Sequence, residues 1–199
     1  MPVIPFTDLP EEYRIAAYRH AINRVKMLMV NEKIVDSPDK VAVREVMVGA
    51  QTGIADFADL TVKTAVVTGQ EFWGQAAADI TANAFSSILS TGFKVPDNKV
   101  IVFFGFTDLT SNPDLVAIKF ERGSDTLDIW QVQHCYKSKE EVGGMTFTTD
   151  PAGNLVPYCI SYVQNDPVTI KMLFKTSSDK NVVLLALIGE RFGDRISKT

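Results

Sequence analysis

Val182-Val-Leu-Leu-Ala-Leu-Ile-Gly189 is apolar at odd and even positions alike. Successive side chains on a strand point to opposite faces, so a strand of this kind needs cover on both. It is therefore expected to be a central strand. Reading upstream, β-rich runs of similar length follow one another: Lys99 to Phe106, Leu115 to Arg122, Thr126 to Tyr136, Met145 to Thr149, Leu155 to Gln164 and Val168 to Thr176. Between them stand Ser-Asn-Pro-Asp, Arg-Gly-Ser-Asp, Gly-Gly, Asp-Pro-Ala-Gly-Asn, Gln-Asn-Asp-Pro and Ser-Ser-Asp-Lys-Asn. These are turn sequences for physical reasons: Gly permits positive φ, Pro presets φ, and Asn, Asp and Ser bond their own backbone. Short connections without intervening helices imply antiparallel pairing.

The first half of the chain is more mixed. Residues 1–7 carry two prolines and read as an extended arm, and residues 8–30 as a helix. Asp8 stands as its N-cap, Pro10 in the first turn and Glu11 in capping-box position. Ile15, Tyr18, Ile22, Val25 and Met29 recur at helical spacing as one apolar stripe. Ser37-Pro38-Asp39-Lys40 is a turn, Val41 to Val48 a strand, 49–59 a loop, and Leu60 to Thr68 another strand. A second helix is expected near residues 70–91. Thr68 and Glu71 have capping-box spacing, Trp73, Ala77, Ile80, Ala84 and Ile88 form a stripe, and Gly92 stops it.

The expected class is thus mainly β (α+β). About nine strands form an antiparallel β-sandwich, jelly-roll-like, or a partly closed barrel, with two helices attached. One domain spans residues 1–199, with a β-rich body over 41–189 and a tail over 190–199.

Composition narrows the classes of function. Of 199 residues, 46% are hydrophobic and 22% charged, which fits a folded core and argues against global disorder. A net charge of −4 gives no general attraction to nucleic acid. No apolar run reaches membrane-spanning length, and the residues after Met1 lack a secretory pattern. No export address is read from these residues, and the location stays open between a virion and the cytoplasm. Cys135 and Cys159 sit in apolar or β-branched surroundings and read as buried, reduced thiols, with a disulfide as the alternative if their strands are neighbours.

Searching for chemistry yields little. His134 and Cys135 are adjacent on what reads as a strand, so they would face opposite sides, the wrong geometry for a nucleophile pair. Two histidines and two cysteines are too few for a zinc quartet. Asp56, Asp59, Asp108, Asp114, Asp125 and Asp150 lie in loops without the spacing of a calcium loop. They read as turn-forming acids. Phosphate cradles and a nucleophile elbow are absent, and Gly143-Gly144 reads as a hairpin turn. Arg14, Arg19, His20, Arg24 and Lys26 make a solvated helix face. No catalytic residue, metal or cofactor is expected.

What remains is assembly. The arm is apolar, and several strands lack a polar face, so surplus apolar area is most simply hidden against copies of the chain. Val3, Ile4, Phe6, Phe72, Trp73, Trp130 and Phe192 are the expected contact residues, since buried aromatics dominate interfaces. The layout of arm, helix, sandwich and short tail is similar to that of capsid, cement and decoration subunits of virus particles. That likeness rests on the layout of the elements. The expected function is a non-enzymatic structural subunit that self-associates, with itself and other assembly subunits as partners. The alternative is a sandwich binding a small ligand, sugar or metal, with hydrolase activity from loop carboxylates.

Overall fold

The computed structural model describes residues 3–48, 76–87, 93–137 and 143–192. Among these residues the chain forms one α-helix, α1 (Glu11–Asn31), and eleven strands. The strands are β1 (Val3–Pro5), β2 (Val41–Val48), β3 (Phe85–Ser87), β4 (Val100–Asp108), β5 (Leu115–Arg122) and β6 (Asp125–Gln131). They continue with β7 (Gly143–Thr149), β8 (Leu155–Pro157), β9 (Ile160–Tyr162), β10 (Val168–Phe174) and β11 (Val182–Arg191).

All pairings between strands are antiparallel, and they divide into two sheets. The larger runs β1-β7-β4-β11-β2, with β8 added to β7 and β9 to β4; the smaller runs β3-β10-β5-β6. Among the described residues no strand pairs across the two, so the arrangement is sandwich-like and not a closed barrel.

Two apolar cores explain the sequence pattern. Between the sheets pack Phe103, Phe106, Phe120, Trp130, Tyr162 and Phe174 with aliphatic neighbours. Rings meet there at 4.4 Å for Phe120 and Trp130 and 5.4 Å for Phe103 and Phe120, within the range of favourable aromatic pairs. On the other side of the larger sheet, α1 lays Ala17, Ala21, Val25, Leu28 and Met29 against Val100, Val102, Phe104, Phe147 and Leu187. Hence β4 over 100–104 and β11 over 182–188 are apolar on both alternations: Val182, Leu184, Ala186 and Ile188 face the smaller sheet, while Leu187 faces the helix. The expectation of a doubly covered central strand holds for β11, which lies between β4 and β2.

Several local expectations need correction. The arm is extended over Val3–Pro5, which pairs with Gly144–Thr146 of β7 inside the same chain, but Phe6–Asp8 is a 3₁₀ turn. Asp8 therefore does not cap α1. Pro10 holds that position, without a side-chain cap. The stripe of α1 is rotated, with Ala17 and Ala21 buried and Ile15 exposed. Alanines permit the close approach to the sheet that isoleucine would block.

The second helix is not found over residues 76–87. There Ala77–Asp79 is one 3₁₀ turn, Asn83 takes a φ of 58°, and Phe85–Ser87 becomes β3 on the edge of β10. A left-handed residue ends any helix, and the open edge of β10 offers pairing that outweighs local helix preference. Residues 70–75, 88–91 and the expected strand over 60–68 lie outside the described residues.

The run from Thr126 leaves the sheet at Gln131 and continues as a 3₁₀ helix, Gln133–Lys137. Leu155 to Gln164 splits into two short strands, and the tail begins later than expected because β11 extends through Arg191. Gly143 and Gly144 are strand residues rather than a turn. A Cβ on Gly144 would lie 2.5 Å from the carbonyl oxygen of Ile4, so only glycine lets β1 and β4 flank β7 this closely.

Candidate functional site

At one end of the sandwich, the β4–β5 and β10–β11 loops meet around Lys180. Its side chain is almost wholly buried, and its ammonium lies 2.6 Å from Asp114 Oδ1. The same ammonium donates to Thr176 Oγ1 at 3.0 Å and sits 5.4 Å from the centre of the Phe174 ring. Asp114 Oδ2 accepts from the Thr176 backbone N–H at 2.9 Å and from its hydroxyl at 2.5 Å. A carboxylate, a hydroxyl and an amine are the makings of a nucleophile site. Here the Thr176 oxygen accepts from the ammonium while its proton is held by Asp114, and the resident ammonium takes the place a bound cation would have. The cluster works as a clamp between loops.

The other loop acids do not join it. Asp108, at the same end, is buried and its Oδ1 accepts from the Thr110 N–H at 2.9 Å. Asp125 and Asp150 lie at the opposite end, beyond the far ends of β5 and β7. Asp150 accepts from the Asn154 side chain at 3.0 Å and from the Asn154 and Ala152 N–H groups, bonds that hold its carboxyl below the usual range. It organises its own turn. Asp56 and Asp59 lie outside the described residues. Among the described residues, no three His, Cys, Asp or Glu side chains gather as a metal site.

His134 and Cys135 share the 3₁₀ helix after β6, and both reach the carbonyl oxygen of Val3. The imidazole Nε2 hydrogen-bonds it, and the thiol approaches at 3.8 Å. Burial, with the Asp8 charge added, pushes the Cys135 thiol up to about 12. Burial also pushes Cys159 up to about 12, with Arg24 opposing it weakly. Both cysteines are free, and neither is a thiolate at neutral pH. On the basic face of α1, Arg24 Nε donates to Ser161 Oγ at 3.2 Å, and burial, then Arg24, lowers the pKa of His20.

Two charge clusters went unseen in the sequence because their members come from different strands. On the outer face of the smaller sheet, buried Glu121 takes Lys119 at 2.5 Å and Lys171 of β10 at 2.7 Å. Burial raises the Glu121 pKa, but the two lysines outweigh it and hold the group below its ordinary value. Glu190 of β11 is likewise buried beside Lys99 at 3.4 Å and Arg44 at 3.7 Å. The only sequence signal for the first is lysine and glutamate at alternating positions of adjacent strands.

The expected contact residues fare unequally. Val3 and Trp130 are fully buried within their own chain, in the core between the sheets. Ile4 and Phe6 are partly buried against the helix-side core. Phe72 and Trp73 lie outside the described residues. Phe192 is different: 70% of it is exposed, the most of any large apolar side chain described.

Phe192 stands on the rim of an open depression of about 660 Å³ at the C-terminal end of α1. Val30, Ile34 and Val35 supply apolar lining, and Lys33, Lys40 and Arg191 supply positive charge. Asp36, also in the lining, pairs with Lys40 at 2.7 Å. The surround is built by backbone ties: the Phe192 N–H donates to the Lys40 carbonyl at 2.7 Å, and the Arg191 guanidinium donates to the Ile34 carbonyl at 3.0 Å. Met27, 56% exposed, lies one helical turn before Val30. Compared with known proteins, the chain matches no protein-family model and no curated protein sequence.

Proposed function

We propose that the chain is a non-enzymatic structural subunit that associates with copies of itself, as the capsid, cement and decoration subunits of virus particles do. The observation that carries this reading is the surface at the C-terminal end of α1, where Phe192 stands in solvent and lines a depression together with Val30, Ile34 and Val35. Exposed aromatic groups next to a concave apolar surface are the usual anchors of an interface.

The polar clusters support the same reading from the other side. Lys180, Asp114 and Thr176 are bonded to one another, Glu121 is held by two lysines, and Asp150 is consumed by its own turn. Each ties elements of the fold together and leaves its reactive atoms occupied.

Native mass spectrometry of the full chain over micromolar concentrations is the test, since mass action must favour larger species as concentration rises. Oligomers growing with concentration are expected. A monomer throughout, with an undiminished thermal transition, overturns the proposal.

A further inference from the structure

We infer that the depression at the C-terminal end of α1 receives the acidic N-terminal end of α1 from a second copy, giving a head-to-tail contact. The inference rests on the self-association proposed above and names its surfaces. The receiving side carries Lys33, Lys40 and Arg191 against one lining acid, Asp36, over Val30, Ile34 and Val35. The entering side carries Asp8, Glu11 and Glu12 against one base, Arg14, all of them exposed. Ile15, exposed at 43%, lies within one turn of both glutamates and therefore projects from the same side of the helix. Two acids beside an uncovered isoleucine meet a basic rim around an uncovered phenylalanine.

The two surfaces belong to opposite ends of one 21-residue helix. At 1.5 Å per residue they stand about 30 Å apart, so a molecule cannot fill its own depression with its own acidic turn. A second copy can. Every copy carries both halves: the acids Glu11 and Glu12 stand in the first turn of α1, and the cations Lys33, Lys40 and Arg191 lie beyond its C-terminal end. Because the surfaces differ, the contact is heterologous: it leaves a free half at each end and grows into a ring or filament. The charges are exposed and screened by salt, so association weakens as ionic strength rises.

Two variants of the full chain separate the halves. Phe192→Asp spoils the depression and leaves the acidic end, while the double variant Glu11→Lys, Glu12→Lys does the reverse. All three positions are exposed, so thermal unfolding should stay close to that of the wild type. In sedimentation velocity, the wild type should form species beyond the dimer that recede as NaCl is added. Each variant alone should associate roughly ten-fold or more weakly. An equal mixture should form a heterodimer and stop there, because each partner keeps one usable half.

A mixture without heterodimer, or variants that assemble like the wild type, overturns this contact while leaving self-association standing. A wild type that never associates overturns both. A chain ending at Phe192 that assembles better than the full chain shows residues 193–199 to be the occupant, and that also overturns it.

Discussion

Gly189 has no room for a side chain. A Cβ there would lie 2.5 Å from Val25 Cγ1 and 3.0 Å from both Met29 Cγ and Val100 Cγ2. Gly189→Ala is therefore expected to lower stability by about 1–3 kcal/mol in urea unfolding, the usual cost of overpacking. Introduced into Val25→Ala, the same change should cost less, because the nearest of the three atoms it meets is gone. Glu121 makes a different kind of test. Its folded pKa lies below the ordinary glutamate value of about 4.5 because Lys119 and Lys171 face it. A depressed carboxylate stabilises the fold above its unfolded pKa, and that stability is lost as pH falls through the folded value. Wild-type stability should accordingly decline as pH drops below about 4.5, and Glu121→Gln should show a shallower decline over that window. An identical slope in the two proteins would exclude the triad as its source. At this scale the sequence was partly legible. The apolar alternations of Val182 to Ile188 told the position of β11, since both faces must be covered. Glu121 was silent, because its partner Lys171 comes from another strand.

For α1 the buried line runs through Ala17, Ala21, Val25 and Leu28, whereas hydrophobicity alone selects Ile15. Small residues sit where the helix touches the sheet, and a large exposed residue sits where it does not. Ile15→Lys is therefore expected to change stability by no more than about 0.5 kcal/mol, as exposed substitutions do. Ala21→Lys places an unpaired ammonium where no surface is exposed, and should prevent stable folding in a circular-dichroism melt. The reverse ranking would restore the stripe read from hydrophobicity. β3 teaches a related lesson. Its residues, Phe85–Ser87, sit in a helix-like rhythm, and Ile80 does enter the core, but from a 3₁₀ turn rather than a helix. What decided the outcome was the edge of β10, a partner some eighty residues away that no local pattern announces. Turn chemistry, by contrast, is local. The Arg122-Gly-Ser-Asp125 connection was legible because Gly123 takes a φ of 61° at the β5–β6 hairpin.

At the scale of the molecule, the described residues stack as three layers: helix, larger sheet, smaller sheet. The antiparallel class was readable from run length and turn residues. The order of layers was not, because surplus apolar area on strands could equally face a helix or another copy. Part of that surplus, on β4, β7 and β11, is covered by α1 itself. The arm adds to the cover rather than leaving it, since Val3 enters the core between the sheets. Of the candidate site, Phe192 was legible as an aromatic near the end of the β-rich body. The basic rim was not, because Lys33, Lys40 and Arg191 meet only after β11 has run back beside β2.

Because β4 and β11 contribute side chains to both cores, neither core can open without disturbing the same two strands. Their amides should therefore be the last to exchange with deuterium, at rates set by global unfolding. Those of β6 and β8, each hydrogen-bonded to one neighbouring strand among the described residues, should exchange through far smaller openings. Finding the slowest deuterium uptake in β6 instead would mean that the two cores come apart independently.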